Sequence, residues 1–386
     1  MQPRRSHRTG RRSEVGLLFL KDHGVSSLNP STLSAADGGS AWQAVAMKDG
    51  RVSSRAWASV LASAAFAVAL GLSGVASAAT TTLKFATLLP QNSPWGRELK
   101  KWGAQVSSDT GGDLEIEFQW NGQAGDEVLM VQKIRAGQLD GAIVSATGLA
   151  QTGVTDALLF QLPGLFTDWN KLDAVRAAVA DDLEKEFEAR GFVVLGWGGA
   201  GAIKTMSIGY EVHHPRDLQG KGTFVVTGDP VQPVLFSAIG GITPRSLAVT
   251  EILPGLTNGS ITFLSISPLL AEQLQLSSRI THVGAETLAF AIGGFLASGS
   301  RMQALPQRFK DIMAARGAAL QGHLEPLVKN LDAQSFARMK ANKIVYELSD
   351  AEKSEWKGVF DRVASQLRGS VFTPAMFDRV VKLARQ

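Results

Sequence analysis

The stretch TLKFATLLPQNSPWGRELKKWGAQVSSDTGG, at residues 82–112, decides the fold because a short apolar run passes directly into a capped amphipathic segment. The run 83–88 predicts a strand. Ser93 can cap a helix and Pro94 suits its first position, so a helix is predicted over 95–108. A strand that is followed at once by a helix is the repeating unit of α/β proteins.

The same alternation continues after this stretch. Asp126 and Glu127 favour the positive start of a helix that Gly137 ends. The order of elements predicts a parallel sheet covered by helices. The further predicted strands are 114–120, 140–145 and 191–197, and the helices between them are 127–136 and 170–190.

A second lobe is predicted to follow the glycine-rich bend 198–201. The apolar run 288–297 is long enough to return to the first lobe as a strand, so the chain crosses between the lobes twice, as in a hinge. In the second lobe we expect strands at 222–227 and 261–265 and helices at 229–239, 249–258 and 268–276. Surface helices are expected at 306–331, 350–367 and 374–385.

The N-terminal region is predicted to be a secretion signal. Lys48, Arg51 and Arg55 precede the apolar run 56–72, which closes on the cleavage pattern Ala-Ser-Ala at 76–78. A membrane anchor is the alternative, because 56–78 is just long enough to span a bilayer. Residues 1–46 fit no targeting design, and we interpret them as an untranslated or disordered extension before Met47.

Composition narrows the function classes. Nine of the 39 basic residues but only four of the 35 acidic ones lie in residues 1–78, so the rest of the chain is nearly neutral. No field of one sign is present there to select nucleic acid or an anionic membrane. The absence of cysteine excludes disulfides, thiolate metal sites and a lipid-modified N-terminal cysteine.

The motifs that could carry chemistry are weak. Residues 196–201, GWGGAG, match G-x-G-x-x-G, but the following 202–208 predicts a strand, whereas a dinucleotide site needs a helix there. His213 and His214 point to opposite sides of an extended segment, so no metal site is expected. Hydrolase and nucleotide signatures are missing from the sequence. We therefore predict no cofactor and no enzymatic activity.

Several segments in order resemble the substrate-binding proteins of TRAP transporters, the DctP-like family. They include residues 82–112, NGQAGDEVLMVQKIRAGQLDGAIVS at 121–145, LLFQLPGLFTDWNKLDAV at 158–175 and HPRDLQGKGTFVVTGDP at 214–230. The resemblance covers essentially all of 80–386. It implies a two-lobed periplasmic-binding-protein fold of type II, with an interlobe cleft and a long helix spanning both lobes.

This resemblance also implies a function and a domain organisation. Such a protein captures a small organic acid or related polar solute in the periplasm and delivers it to a membrane permease. The expected lobes are 80–202 with 290–335, and 203–289, while 336–386 packs on both. The alternatives are a solute receptor for an ATP-driven importer, a receptor that feeds a signalling protein, and a secreted α/β enzyme.

Ligands of open α/β sheets bind beyond the carboxyl ends of strands, at helix N-termini, and this rule nominates most of the candidate site residues. They are Asn92, Ser93, Trp95, Gln123, Asp126, Ser145, Trp197, Asp229, Ser265 and Ser267.

One departure from the family pattern concerns charge. Most members carry an arginine in the strand after D-L-x-G, and Phe224 stands there in this chain. A second common arginine is replaced in AIKTMS, where Lys204 is the nearby cation. A lysine supplies only a point charge in place of a bidentate fork. We therefore include Lys204 and Phe224 among the candidate site residues, with two alternatives: Lys204 and helix N-termini hold a carboxylate, or the solute is neutral.

Overall fold

The computed structural model describes residues 80–386, and this part of the chain forms ten strands, eleven α-helices and four short 3₁₀ helices. The strands are β1 Thr81–Thr87, β2 Leu114–Gln119, β3 Gly141–Ser145, β4 Phe192–Ser207, β5 Gly222–Val226, β6 Thr243–Leu247, β7 Phe263–Ile266, β8 His282–Gly284, β9 Ala289–Ser298 and β10 Ile344–Tyr346.

The helices fall between these strands and after the last of them. They are α1 Pro94–Asp109, α2 Glu127–Arg135, α3 Ala146–Ala150, α4 Trp169–Ala189, α5 Gln232–Ile239, α6 Ile252–Thr257, α7 Pro268–Gln273, α8 Gly299–Ala304, α9 Gln307–Asn342, α10 Asp350–Leu367 and α11 Pro374–Arg385.

The predicted signal peptide at 47–78 and the extension at 1–46 lie outside the described residues. Within residues 80–386, no helix combines the length and the apolar character that a membrane crossing requires.

The main sheet is mixed. Strands β2, β1 and β3 run parallel, as predicted, but β9 lies antiparallel between β3 and β4. The first part of β4 runs in the same direction as these three strands, as predicted, and the sheet is mixed only because β9 returns antiparallel from a distant part of the chain, a direction that was not predicted from the sequence. The predicted α/β class is confirmed.

Strand β4 belongs to two sets of strands at once. Its first part pairs with β9 as far as Ile203, and its last part pairs with β7 and β8. The expected bend at 198–201 is in fact part of this continuous strand, with register shifts on both sides of the glycines and φ +108° at Gly201. Glycine allows these bulges without breaking the ladder.

Strands β5 and β6 form a separate parallel pair. Strands β6, β8 and β10 were not predicted from the sequence. All three are short or exposed and owe their extended state to pairing partners elsewhere in the chain.

Helix α9 is longer than predicted and runs without interruption through Pro326 to Asn342. Its 36 residues correspond to a length of about 54 Å. Leu320 and Leu324 pack in a buried cluster with Leu83 of β1, whereas Met339 packs in another cluster with Met206 of β4. One rigid helix therefore joins two separate cores.

The polar side chains on the buried face of α9 explain why its last eleven residues, 332–342, were not predicted. Asp332 and Ser335 are 5% and 0% exposed, so the apolar spacing of the sequence fades there while the helix continues. The Asp332 carboxylate accepts hydrogen bonds from the backbone N–H of Ala202 at 2.8 Å and of Leu269 at 3.0 Å. It thereby fixes the bulge of β4 to the start of α7.

Gly201→Ala should destabilise the protein. A Cβ at this position would stand 2.3 Å from Asp332 Oδ1 and would have to adopt φ +108°. We expect the free energy of unfolding to fall by about 2 kcal/mol or more, measured by urea denaturation.

The control is Gly322→Ala in α9, where an added Cβ meets nothing within 4 Å. Replacing glycine inside a helix should raise the free energy of unfolding by up to about 1 kcal/mol. Equal stabilities of the two variants would contradict the role assigned to Gly201.

Candidate functional site

A cavity of about 250 Å³ lies where the carboxyl ends of β1, β3 and β7 meet β4, β5 and β9. Its position follows the rule for open α/β sheets, in which ligands bind beyond strand ends. Six of the predicted site residues line it: Trp95, Ser145, Phe224, Asp229, Ser265 and Ser267.

Helix α1 supplies one wall of the cavity. Ser93 caps the helix by accepting a hydrogen bond from the Gly96 N–H at 3.1 Å, and this cap fixes the first turn. Trp95 is 5% exposed, and its indole N–H donates to the Gly199 carbonyl of β4 at 3.1 Å. The hydrogen bond holds the indole ring as a rigid surface against the strand.

Ser145, at the end of β3, is hydrogen-bonded to the carboxylate of a neighbouring side chain. Its backbone N–H donates to Glu127 Oε1 at 2.8 Å, and its hydroxyl donates to Glu127 Oε2 at 2.5 Å. Glu127 also lines the cavity and is 8% exposed. Burial raises the pKa of the Glu127 carboxyl, and the Ser145 hydrogen bonds only partly oppose that shift.

Asp229 lines the cavity from the loop between β5 and α5. Its Oδ1 accepts hydrogen bonds from the N–H groups of Val231 at 2.7 Å and Gln232 at 3.1 Å. The residue is 7% exposed, and burial raises the pKa of its carboxyl. Within residues 80–386, no donor is hydrogen-bonded to its second oxygen, Oδ2. This oxygen remains available to a solute.

Ser265 and Ser267 have different surroundings although both line the cavity. The Ser267 hydroxyl donates to the Ala200 carbonyl, and its oxygen accepts from the Leu270 N–H at 3.2 Å. It is therefore engaged in joining β4 to α7. Ser265, on β7, also lines a smaller adjoining pocket of about 60 Å³ together with Asp229, Gln161 and Gln232.

The charged groups of the cavity are all acidic. Glu127 and Asp229 line it, and no lysine, arginine or histidine of the described part of the chain does so. No cation contributes to the pKa of either carboxyl. The cavity is otherwise mainly apolar, with Leu88, Phe224 and Phe295 among its walls.

Lys204 lies on the other face of β4. Its neighbour Ile203 lines the cavity, and successive side chains of a strand point to opposite faces. The Lys204 amine donates to the Ala285 carbonyl at 2.5 Å and lies 4.3 Å from the ring centre of Phe336. Lys204 does not line the cavity, so its position does not support the expected contact with a carboxylate solute.

Trp197 is also enclosed in the core. Its ring packs edge-on against Phe160 at 5.8 Å and Phe187 at 6.3 Å, and the residue is 5% exposed. Among the remaining candidates, Ser93 and Asp126 act as helix caps, and Asn92 and Gln123 are exposed. None of these five lines the cavity.

Several residues that line the cavity were not predicted from the sequence. Glu127 was interpreted only as a favourable residue at a helix start, and its hydrogen bonds to Ser145 were not foreseen. Gln161 and Gln232 follow no strand end, so the rule that nominated the other candidates did not reach them. Phe295 lies in the middle of β9, where only strand pairing brings it to the cavity.

One hydrogen bond joins two segments that lie next to lining residues of the cavity. The Gln151 side chain, directly after α3, donates to the Gly228 carbonyl of the β5–α5 loop at 2.9 Å. A Cβ on Gly228 would stand 2.8 Å from Val128, so glycine is required for this approach. The loop that carries Asp229 is thus held against α2 and α3.

Comparison with known proteins identifies relatives across most of the described chain. Residues 85–368 match the family model described as bacterial extracellular solute-binding protein, family 7, DctP. The chain is 21% identical over 306 residues to the C4-dicarboxylate-binding periplasmic protein DctP of Rhodobacter capsulatus, covering 78% of this chain and 91% of that protein.

A shorter match is to the uncharacterized protein YiiZ of Salmonella typhimurium, 27% identical over 159 residues, which covers 41% of this chain and 48% of YiiZ. The chain spans about half the length of the first curated relatives it matches.

Among solved structures, the fold resembles a TRAP periplasmic solute-binding protein of Ralstonia eutropha H16 with bound (S)-2-acetolactate. The TM-score is 0.73 at 21% identity, covering 79% of this chain and 98% of that one. The predicted two-lobed architecture is confirmed by this likeness.

Lys204→Met should remove a pH dependence of stability. Burial lowers the pKa of Lys204 to about 8, against the opposing effects of Asp332 and Glu286. The unfolded chain keeps this proton until about pH 10.4, so it binds more protons than the folded chain above about pH 8. The free energy of unfolding should therefore rise with pH in this window, by up to about 1.4 kcal/mol per unit, and Lys204→Met should abolish that rise.

Urea denaturation between pH 7 and 9.5 measures this slope. Lys382→Met is the control, because Lys382 is exposed in the last turn of α11 and is not among the groups that shift the pKa of Lys204. The control should keep the wild-type slope. A slope that persists in Lys204→Met would refute the assignment.

Proposed function

We propose that this chain, which belongs to the bacterial extracellular solute-binding protein family 7, is the receptor subunit of a TRAP transporter and delivers a small solute to a membrane permease. The observation that carries the proposal is the cavity at the strand ends, enclosed by elements on both sides of β4. Its walls have space for a small solute and combine apolar surface with a few polar groups, as in small-molecule sites generally.

The route of the backbone supports a mechanism of hinge closure. Strands β4 and β9 and helix α9 are the elements that connect β1, β2 and β3 with β7, β8 and β10. A solute held between two bodies stabilises the closed arrangement by the contacts that it makes only there. The hydrogen bond from Gln151 to Gly228 would add to the closed state. We propose lobe limits of 80–202 with 290–335 and of 203–289, with 336–386 packed on both.

The solute-contacting residues would be those candidates that line the cavity. Trp95 and Phe224 offer apolar faces, while Asp229 and Ser265 offer polar atoms. The names of two relatives, a C4-dicarboxylate-binding protein and a receptor with bound acetolactate, support a small organic acid or a related polar solute as the class to screen. The proposed location is the periplasm, reached through the signal peptide predicted at 47–78.

The long helix favours a TRAP receptor over a receptor for an ATP-driven importer. Helix α9 runs unbroken from the core around Leu83 to the core around Met206. The resemblance to the DctP-like family implies such a helix across both lobes. No converging nucleophile, base and orienting group is apparent among the residues that line the cavity, which supports a binding role over catalysis.

A thermal-shift screen of the purified protein tests the proposal. The library should contain organic acids, sugars, amino acids and amines. A solute present at 100 times its dissociation constant should stabilise the protein by about 2.7 kcal/mol. Binding of any compound should be confirmed by calorimetry.

Two serine variants then locate the binding site. Ser265→Phe should abolish the shift, because its ring would occupy the cavity, whereas Ser365→Phe on the exposed face of α10 should keep it. A library without a single binder, or a Ser265→Phe variant that binds as wild type does, would refute a receptor function for this cavity.

A further inference from the structure

Four polar side chains lie together where the cavity meets the smaller adjoining pocket. Gln161, Asp229, Gln232 and Ser265 line both spaces. The walls of the main cavity are otherwise mainly apolar. A solute that fills the cavity therefore places its polar end beside these four side chains, and its body lies against the apolar walls.

Three of the four side chains can donate a hydrogen bond without carrying charge. Gln232 Oε1 accepts from the Val226 N–H at 3.1 Å, which leaves the Nε2 of the same amide as a donor. The Gln161 amide and the Ser265 hydroxyl line the cavity and have no side-chain hydrogen bond to any of residues 80–386. These three groups are neutral donors that a solute carboxylate can use.

Asp229 is the titratable member of this group. Among the described residues that line the cavity or the adjoining pocket, only Asp229 and Glu127 titrate, and both oxygens of Glu127 accept hydrogen bonds from Ser145. Asp229 accepts two backbone hydrogen bonds on Oδ1, and its Oδ2 has no partner within the described chain. Lys204 is on the other face of β4 and donates to Ala285. A carboxylate at the polar end therefore meets a carboxyl oxygen and no cation.

A solute carboxylate can lie against Asp229 Oδ2 only if one of the two groups is protonated. Two carboxyl groups at hydrogen-bond distance cannot both be ionised, because their charges repel strongly in a buried site. One proton held between them replaces this repulsion with a charge-assisted hydrogen bond, which is among the stronger kinds. Burial raises the pKa of the Asp229 carboxyl, against the hydrogen bonds from Val231 and Gln232, and this lowers the cost of holding the proton there.

We propose, on the basis of the receptor function above, that the solute is a small organic acid with an apolar body and that its carboxylate shares one proton with Asp229 Oδ2. The same carboxylate accepts hydrogen bonds from Gln161, Gln232 and Ser265. The proton comes from the solvent and stays between the two oxygen atoms until the solute leaves. Binding of the acid is thus coupled to proton uptake, and a protonated carboxyl serves where most family members use an arginine.

Calorimetry between pH 5 and 9.5 with cyclohexanecarboxylate, benzoate and 4-methylpentanoate tests this coupling. Above the pKa of Asp229 in the free protein, the dissociation constant of the tightest-binding acid should rise about tenfold per pH unit, because each binding event takes up one proton. Below that pKa the constant should not change with pH. Titrations in phosphate and in Tris, whose ionisation enthalpies differ, should count the proton directly at a pH where the affinity falls.

Asp229→Asn should abolish both the pH dependence and the proton uptake, and the acid should still bind. The asparagine oxygen takes the place of Oδ1, where two backbone N–H groups require an acceptor, so the amide nitrogen replaces Oδ2 as a permanent donor. At pH 9 the variant should bind the acid at least tenfold more tightly than the wild type does. The loss of a simple acceptor would weaken binding instead.

Asp126→Asn is the matched control. Asp126 caps a helix by accepting from the Leu129 N–H at 2.9 Å, but it does not line the cavity. The same change of net charge there should leave the pH dependence as in the wild type. Glu127→Gln removes the other titratable group of the cavity, and one proton should still be taken up in this variant.

An affinity that does not fall toward high pH would overturn the proposal, as would an Asp229→Asn variant that still takes up a proton or binds more weakly than the wild type at pH 9. Failure of all three acids to bind would do the same. In each case a solute from the thermal-shift screen that Ser265→Phe excludes would leave the receptor function intact, so the two failures are distinguishable.

Discussion

The structure depends on the carboxylate of Asp332. This side chain projects from the long helix α9 and accepts hydrogen bonds from the backbone N–H groups of Ala202 and Leu269. Ala202 lies in β4 directly after the bulge at Gly201, and Leu269 lies in the first turn of α7. A single buried side chain therefore joins the shared strand, the shared helix and an element that follows β7. Asp332 is 5% exposed, and both of its carboxylate oxygens accept from backbone N–H groups. A buried side chain bonded in this way restricts movement of the backbone at the point where β4 passes between the two cores.

The cavity is a consequence of this junction. The glycines and alanine at 198–200 line its floor, and small side chains there leave the space that a solute would occupy. Their carbonyls are used from both sides: Gly199 accepts from the Trp95 indole and Ala200 accepts from the Ser267 hydroxyl. Two walls that belong to distant parts of the chain are thus attached to neighbouring residues of one strand.

The sequence predicted the elements that local chemistry controls. Ser93 and Asp126 each cap the helix they were expected to open, and helices α10 and α11 have the expected limits. The sequence did not predict the pairing between distant segments. Strands β6, β8 and β10 have no local strand signal, and the direction of β9 is fixed only by its neighbours. The glycines at 198–201 were interpreted as a bend for the same reason: a bulged strand and a loop have the same composition, and only the β9 ladder distinguishes them.

Half of the candidate site residues reached the cavity, and the reason lies in strand faces. Lys204 was nominated because it was the nearby cation, but Ile203 takes the face toward the cavity and the next side chain must take the other. Asp229 and Glu127 show the opposite case, in which an acidic residue at a helix start is first of all a favourable local choice. Once the fold closes around them, the same carboxyl groups are buried and line the cavity. A helix start selects an acid for its own stability, and the tertiary structure then places that acid in the wall of the cavity, which no local pattern records.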